Sequence, residues 1–169
     1  MSENAFAALM TATDPAMVVV TTAAEGERAG CLVGFHAQSS ISPERYCLWL
    51  SKANHTYRVA LRSTHFAVHV LSSADHALAE RFGTLTGEET DKFAGLDLSR
   101  GEGGVPQLGA CPQRLLLERI TMLDDGGDHV CATARVLSAQ REGELDPLRL
   151  SSVEHLRAGR DSGEHAVHP

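Results

Sequence analysis

The stretch from Gly30 to Leu61 limits the fold more than any other part of this chain. It reads GCLVGFHAQSSISPERYCLWLSKANHTYRVAL, in which two apolar runs flank a polar turn that contains a proline. Both alternating faces of the second run, Tyr46–Ser51, are apolar, as expected of a strand inside a sheet. That run passes directly into Lys52–Thr56 (KANHT), where a helix begins. We therefore expect a β-rich core whose central strand leads into a short helix.

The helix start at Lys52–Thr56 has two interpretations. Asn54 or Thr56 can cap the helix, and a lysine beside free backbone N–H groups at a helix N-terminus suits a phosphate or another anion. The same residues are typical of an ordinary capped helix with a solvated lysine. The spacing alone leaves both interpretations open.

Runs rich in β-branched and apolar residues recur along the rest of the chain. Besides Tyr46–Ser51 they are Met17–Thr22, Ala29–Gln38, His65–Leu71, Arg114–Leu123 and His129–Leu137. Glu25-Gly26-Glu27 is expected to join the first two as a hairpin, and the DDGG run at 124–127 to join the last two. Helical signals are confined to residues 4–11, Tyr57–Arg62 and about Ala74–Phe82. About six strands with so few helices predict a closed antiparallel barrel with peripheral helices.

Composition indicates one globular domain. The chain has 169 residues, 43% apolar and 22% charged, which is enough for one core. We place this domain at residues 1–145, with Thr84–Pro112 as a glycine-rich excursion outside the core, and a polar, partly helical tail at 146–169. The net charge of −7 argues against a nucleic-acid partner. The sequence has neither an export signal nor a membrane-length apolar run, so we expect a cytoplasmic protein with no membrane partner.

Several kinds of site are not indicated. The run GEGGVP at Gly101–Pro106 ends in proline where a dinucleotide fingerprint needs glycine, and it neither follows a predicted strand nor opens a helix, so we interpret it as a loop. His65 and His69 lie four apart in a predicted strand. We expect one surface and one packed histidine, and no metal site. No motif pairs a nucleophile with a base, and the four separated cysteines are expected to be buried free thiols.

Five motifs, in order along the chain, resemble the flavin reductase-like family. The first is the Gly30–Thr56 arrangement: a strand, Gly-x-x-x-x-Phe, a Ser-x-Ser turn with a proline, a strand, and Lys-x-x-x-Thr opening a helix. The others are FAVHVL at 66–71, LAERFG at 78–83, DKF at 91–93 and GDHV at 127–130. The resemblance covers about residues 16–137. It implies a mainly β fold, the FMN-binding split β-barrel, antiparallel and Greek-key-like, with peripheral helices.

The resemblance also implies an activity. Such a protein transfers a hydride from NADH or NADPH to FMN or FAD as a flavin reductase. It is a homodimer with flavin sites near the subunit interface, and it often supplies reduced flavin to a partner monooxygenase. Because the flavin supplies the electron-accepting atom, no catalytic triad is needed. The alternatives are a flavoprotein that binds FMN as a sensor, store or electron carrier, and a split-barrel oxidoreductase that uses deazaflavin or haem.

The site residues follow from the same resemblance. The segment Cys31–Phe35 is implied to run along the flavin ring, Lys52–Thr56 to lie near its phosphate, and His129 to act catalytically on the nicotinamide side. A turn histidine bonded to nearby backbone is the alternative for His129. The implied cofactor-binding residues are Cys31, Leu32, Val33, Gly34, Phe35, Gln38, Ser39, Ser51, Lys52, Ala53, Asn54, His55, Thr56, Arg81 and Phe82. Family members commonly have small hydroxylated residues at positions 32–34, so we expect ring contacts here mainly from backbone groups.

Overall fold

A computed structural model describes residues 4–84 and 90–156 of the chain. Its helices and strands, in chain order, are α1 (Ala5–Thr13), β1 (Val18–Ala24), β2 (Glu27–Val33), β3 (His36–Ser40), β4 (Arg45–Ser51), α2 (His55–Ala60), β5 (His65–Val70), α3 (His76–Thr84), β6 (Leu98–Arg100), β7 (Pro106–Leu108), β8 (Arg114–Leu123) and β9 (His129–Gln140). Two short 3₁₀ turns lie at Glu102–Gly104 and Leu150–Ser152.

The order of strands in the main sheet forces it to curl. Seven strands pair antiparallel in the order β2-β1-β5-β8-β9-β4-β3, and β6 pairs with β7 separately. The two edge strands, β2 and β3, are separated in sequence by Gly34 and Phe35 alone. Three Cα steps reach about 11 Å, whereas a flat sheet of this size is about 29 Å wide. The edges therefore approach each other, which confirms the predicted mainly β, antiparallel barrel.

Side chains from alternate strand positions fill the barrel interior. The buried residues there include Val18, Val20, Cys31, Val33, Leu48, Leu50, Phe66, Val68, Leu117, Ala132 and Ala134. A fully buried side chain of the size of Leu48 or Phe66 contributes about 1.5–3 kcal/mol to folding. Helix α2 packs against β1, β2 and β4, with Val59 and Ala60 buried.

A second buried cluster lies beneath α3, on the opposite face of β1 and β2. It comprises Met17, Val19, Leu71, Ala79, Phe82, Phe93, Leu108, Cys111, Leu148 and Val153. The prediction that Thr84–Pro112 lies outside the core is therefore wrong for its described part, because Phe93, Leu108 and Cys111 are buried there. Both faces of β1 are apolar, so the outward face also needs a cover. Residues of segment 146–156 complete that cover, and the domain boundary at 145 stays a prediction.

The structure corrects several local expectations. The predicted single strand Ala29–Gln38 is two strands, because barrel closure carries the chain from one sheet edge to the other at residues 34–35. The GEGGVP run was expected to be a loop that follows no strand, but it follows β6 and contains a 3₁₀ turn. The sequence pattern does not indicate β6, because this short strand forms only by pairing with β7. Both His65 and His69 are buried rather than one, because β5 lies inside the sheet. Of the four free cysteines, Cys131 is only half-buried.

Candidate functional site

One end of the barrel carries an exposed aromatic pair. Phe35, at the crossing between β2 and β3, is 58% exposed. Its ring centroid lies 4.9 Å from that of His129, at the start of β9. The backbone N–H of Trp49 donates to the Phe35 carbonyl over 2.9 Å, and Ser51 stands opposite His129 in the β4–β9 pairing. Residues distant in sequence are thus brought together on one surface.

An apolar row extends from this pair across the outer face of the sheet. We call Phe35, Trp49, Cys131 and Leu123 the outer row. Trp49 stands opposite Cys131, which in turn stands opposite Leu123 on β8. Leu123 is 57% exposed, while Trp49 and Cys131 are half-buried. Four apolar side chains therefore lie side by side at the surface, next to His129.

Lys52 follows Ser51 in the chain and contacts the hairpin loop of residues 124–128. Its backbone N–H donates to the Asp128 carbonyl over 2.9 Å. Its ammonium lies 3.0 Å from Asp124 Oδ1. The carboxylate of Asp128 lies 2.7 Å from Nδ1 of His129, and this contact lowers the pKa of Asp128. The lysine expected to hold a phosphate is therefore already paired with a carboxylate.

The amides at the start of α2 are largely engaged. The N–H of Ala53 donates to Ser51 Oγ over 3.2 Å, and that of Asn54 to the Ser51 carbonyl over 3.0 Å. Asn54 is the helix cap, since its side chain accepts from the Thr56 N–H over 3.1 Å. The N–H of Lys52 donates to the Asp128 carbonyl over 2.9 Å. The expectation of free N–H groups here is wrong for these four amides, because the turn and the cap satisfy them locally.

The side chains of His55 and Thr56 also have other surroundings. Nε2 of His55 lies 2.9 Å from Oε1 of Glu27, and burial lowers the pKa of this histidine although Glu27 opposes the shift. Thr56 is buried, and its hydroxyl has no oxygen or nitrogen partner. It lies beside the Cys31 thiol, whose pKa is raised by burial and only partly lowered by Lys92 and Thr56. The Thr56 side chain therefore faces the protein interior.

Several predicted cofactor residues bury their side chains. Cys31 and Val33 point into the barrel and Leu32 into the second cluster, while Ala53 is buried beside α2. In this conformation the side chains of Cys31, Val33 and Ala53 are buried, whereas that of Leu32 is half-buried. Backbone contacts of residues 32–34 with a flavin ring stay a prediction. β2 is an edge strand, and Lys92 donates to one of its carbonyls, that of Gly30, over 3.0 Å.

The remaining predicted residues, Arg81, Phe82, Gln38 and Ser39, have other surroundings. Phe82 is 1% exposed and packs edge-on against Phe93. The Arg81 guanidinium donates to the carbonyls of Lys92 and Ala94 at 3.2 and 2.8 Å. Gln38 and Ser39 are exposed on β3, where the Gln38 amide donates to the Ser40 carbonyl. In this conformation the Arg81 and Phe82 side chains connect α3 to the segment around residues 92–94.

Two acidic residues at this end were not among the predicted site residues. Asp124 and Asp128 entered only as turn residues, although their carboxylate or carbonyl groups contact Lys52 directly. The register of the β4–β9 pairing would have identified Asp128 as a neighbour of Lys52. Once His129 is set opposite Ser51, an antiparallel ladder places Asp128 beside Lys52.

Other candidate sites are poorer in chemistry. A cavity of about 280 Å³ lies between the β1–β2 turn and the Gly103-Gly104 loop, but its Arg28 is already paired with Asp91 at 3.0 Å. Within residues 4–84 and 90–156, His, Cys, Asp and Glu form no group of three suited to a metal ion. No helix in the same ranges has the length and apolar character needed to cross a membrane.

Comparison with known proteins points to one family. A family model described as a flavin reductase like domain matches residues 10–154. The chain is 29% identical over 132 residues to HsaB, the reductase subunit of a flavin-dependent monooxygenase from Rhodococcus jostii, covering 78% of this chain and 66% of that protein. It is 33% identical over 135 residues to SmoA, an FMN reductase (NADH) from Agrobacterium fabrum, covering 79% and 73%. The chain thus spans about two thirds of the first relative.

The fold is also similar to that of a solved flavin reductase domain. It matches the crystal structure of a flavin reductase domain protein from Arthrobacter sp. FB24 with a TM-score of 0.78, at 20% identity, covering 88% of this chain and 90% of that one. At this identity the likeness concerns the fold alone. It agrees with the split barrel that the sequence motifs led us to expect.

Proposed function

The chain belongs to the flavin reductase-like family, and from this premise we propose that it is an NAD(P)H:flavin oxidoreductase. It transfers a hydride from NADH or NADPH to FMN or FAD, which releases NAD(P)⁺ and the reduced flavin. The observation that carries the proposal is that one end of the barrel has an exposed aromatic ring, Phe35 against His129, and that the residue opposite His129, Ser51, is followed directly by Lys52. A flavin nucleotide combines an aromatic ring with a phosphate, so it matches both.

The flavin ring is proposed to lie against Phe35 and the backbone of residues 31–34. Phe35 supplies an exposed aromatic surface, and aromatic contacts of this kind contribute about 0.5–1.5 kcal/mol beyond the area they bury. Gly34 adds little bulk where the chain crosses between the sheet edges. When bound, the flavin supplies the hydride-accepting atom, and the protein binds and orients the two reactants.

The flavin phosphate is proposed to bind at the Lys52 ammonium. Lys52 directly follows Ser51, which stands opposite His129 in the β4–β9 pairing, and its backbone N–H donates to the Asp128 carbonyl. A charge-assisted hydrogen bond of this type is worth about 1.5–3 kcal/mol. The structure fits this part only after a rearrangement, because Asp124 must release the ammonium.

His129 is proposed to orient the nicotinamide. Its Nδ1 is held by Asp128 at 2.7 Å, and the described residues leave its Nε2 without a hydrogen-bond partner. One fixed nitrogen and one available nitrogen make this imidazole a suitable contact for a carboxamide group. We assign it an orienting role in hydride transfer.

The protein is further proposed to be a cytoplasmic homodimer that supplies reduced flavin to a monooxygenase. The outer row exposes contiguous apolar surface next to the candidate flavin site, and surfaces of this kind commonly mark an interface. HsaB, to which the chain is similar, is the reductase subunit of a flavin-dependent monooxygenase. A dimer through the outer row would place each flavin site near the subunit boundary.

The proposal is tested by binding and turnover together. Purified protein is titrated with FMN and with FAD while flavin fluorescence is followed, and oxidation of NADH and NADPH is recorded with each flavin added. We expect saturable binding at micromolar affinity or tighter, about −8 kcal/mol, and flavin-dependent oxidation of at least one nicotinamide. Saturable binding without oxidation would favour the sensor, store or carrier alternative. No binding up to millimolar flavin would overturn the proposal.

A further inference from the structure

The Asp124 carboxylate is paired with the Lys52 ammonium, which is the cation proposed to bind the flavin phosphate. Its Oδ1 lies 3.0 Å from the Lys52 ammonium, and the lysine side chain is only 18% exposed. A phosphate that approaches Lys52 therefore meets a carboxylate already in place. The same oxygen also accepts the Gly126 N–H over 2.8 Å, so the carboxylate is oriented by its own turn.

The loop that carries Asp124 is anchored on Lys52 itself. The Lys52 backbone N–H donates to the Asp128 carbonyl, four residues further along the chain. The Lys52 side chain thus contacts one end of the loop, and its backbone contacts the other. This double attachment keeps Asp124 beside the ammonium, unlike a carboxylate that meets it by chance on a mobile loop.

The pair is weak enough to open. Asp124 is 48% exposed, and water screens an exposed ion pair so that it contributes little to stability. A phosphate dianion carries more charge than a carboxylate and can replace it at Lys52. The released Asp124 would stay close, however, and its negative charge would repel the phosphate that displaced it.

We infer that Asp124 is a specificity-determining residue that competes with the flavin phosphate for Lys52 and so weakens the binding of phosphate-bearing flavins. The inference rests on the proposed function. Its consequence is that the flavin exchanges between binding and release as a substrate rather than staying as a resident prosthetic group. Removing the charge of Asp124 should tighten FMN and slow its release, with little effect on riboflavin, which has no phosphate.

The chain offers a matched control for this test. Asp125 is the next residue, and its Oδ1 accepts the Gly127 N–H over 3.1 Å, just as Asp124 accepts that of Gly126. Asp124→Asn and Asp125→Asn both keep a turn-forming oxygen and both remove one negative charge. Only the first removes the carboxylate found at Lys52.

The experiment measures the Kd of FMN and of riboflavin for the wild type, both Asn variants, Lys52→Met and the Lys52→Met/Asp124→Asn double variant. Fluorescence quenching gives Kd, stopped-flow release gives the off-rate, and Tm confirms folding. We expect Asp124→Asn to tighten FMN about threefold to tenfold and to slow its release, while riboflavin changes less than twofold. Asp125→Asn should change the affinity for neither flavin. In the Lys52→Met background, Asp124→Asn should no longer tighten FMN binding.

The outcomes separate this inference from the proposed function. Equal effects of the two Asn variants, equal effects on both flavins, or weaker FMN binding by Asp124→Asn would overturn the inference and leave the reductase proposal standing. FMN binding by Asp124→Asn alone would support the inference in its strongest form. Absence of flavin binding in every protein would overturn both.

Discussion

The His129 ring lies 4.9 Å from the Phe35 ring and is held by Asp128 at 2.7 Å. This geometry connects the start of β9 to the crossing between the two sheet edges. If His129 orients the nicotinamide, His129→Ala should lower kcat/KM for NAD(P)H about tenfold, equivalent to about 1.4 kcal/mol, with FMN affinity nearly unchanged. Steady-state kinetics measures the change, with His76→Ala on α3 as the control. Unaltered kcat/KM in a correctly folded variant would make His129 a structural residue.

Lys52→Met should separate phosphate binding from ring binding. The substitution keeps the apolar stem and removes the ammonium, so FMN affinity should fall about tenfold to a hundredfold, or about 1.5–3 kcal/mol. Riboflavin should bind as it does to the wild type. Titration with both flavins measures this, and an equal loss for the two would indicate damage to the fold instead.

Thr56→Val should leave the preference for FMN over riboflavin unchanged. The Thr56 hydroxyl is buried without an oxygen or nitrogen partner, and burying an unsatisfied hydroxyl costs about 1–3 kcal/mol. Valine has nearly the same shape, so we expect the free energy of unfolding to stay equal or to rise by about 1 kcal/mol. Chemical denaturation measures this. A selective loss of FMN affinity would show that the hydroxyl reaches the phosphate after all.

The stability of the protein should depend on pH through His69. Burial lowers the pKa of His69 to about 4, and its neutral ring links three strands. Nε2 accepts the Leu108 N–H over 3.0 Å, and Nδ1 donates to the Val19 carbonyl over 3.0 Å.

The direction of this effect follows from proton linkage. In the unfolded chain the ring takes up a proton near pH 6.5, whereas in the folded protein it does so only near pH 4. The contribution of His69 is therefore complete above pH 6.5 and declines as the pH falls towards 4. It should differ by about 2 kcal/mol between pH 7 and pH 5. Urea unfolding of the wild type and His69→Gln at both pH values measures it, and identical pH dependence in the two would contradict the assignment.

The outer row should hold two subunits together. We expect sedimentation at micromolar concentration to give twice the 18.1 kDa monomer mass, and Leu123→Glu to shift the protein towards monomer. Leu61→Glu is the control, since Leu61 is an exposed leucine at the end of α2, outside the row. A wild-type monomer that still binds flavin would remove the dimer from the proposal.

Local pattern was sufficient for much of the fold. The buried strand at Met17–Thr22, the two-faced strand Tyr46–Ser51 and the hairpin on either side of the DDGG turn appear almost as predicted, within β1, β4, β8 and β9. Each depends on alternation or on a turn residue within a few positions. The Asn54 cap belongs to the same class, since its side chain accepts from an N–H two residues away.

Long-range contacts decided what the pattern did not. The strand break at Gly34–Phe35, the burial of Phe93 and Leu108 from a glycine-rich segment, and the inward orientation of Thr56 all result from barrel closure and the packing of α3. None of these three features is visible in the composition or periodicity of its own segment. They could therefore not be predicted from local sequence patterns.

The sequence by itself determined that the chain is β-rich, that it closes into an antiparallel barrel and that it resembles the flavin reductase-like family, because strand alternation, turn residues and ordered motifs are local properties. Only the tertiary structure decided which of the implied site residues face solvent together, and that Lys52 is paired with Asp124. The physical reason is that side-chain burial and ion pairing depend on distances between segments some 70 residues apart, and those distances exist only once the sheet has curled.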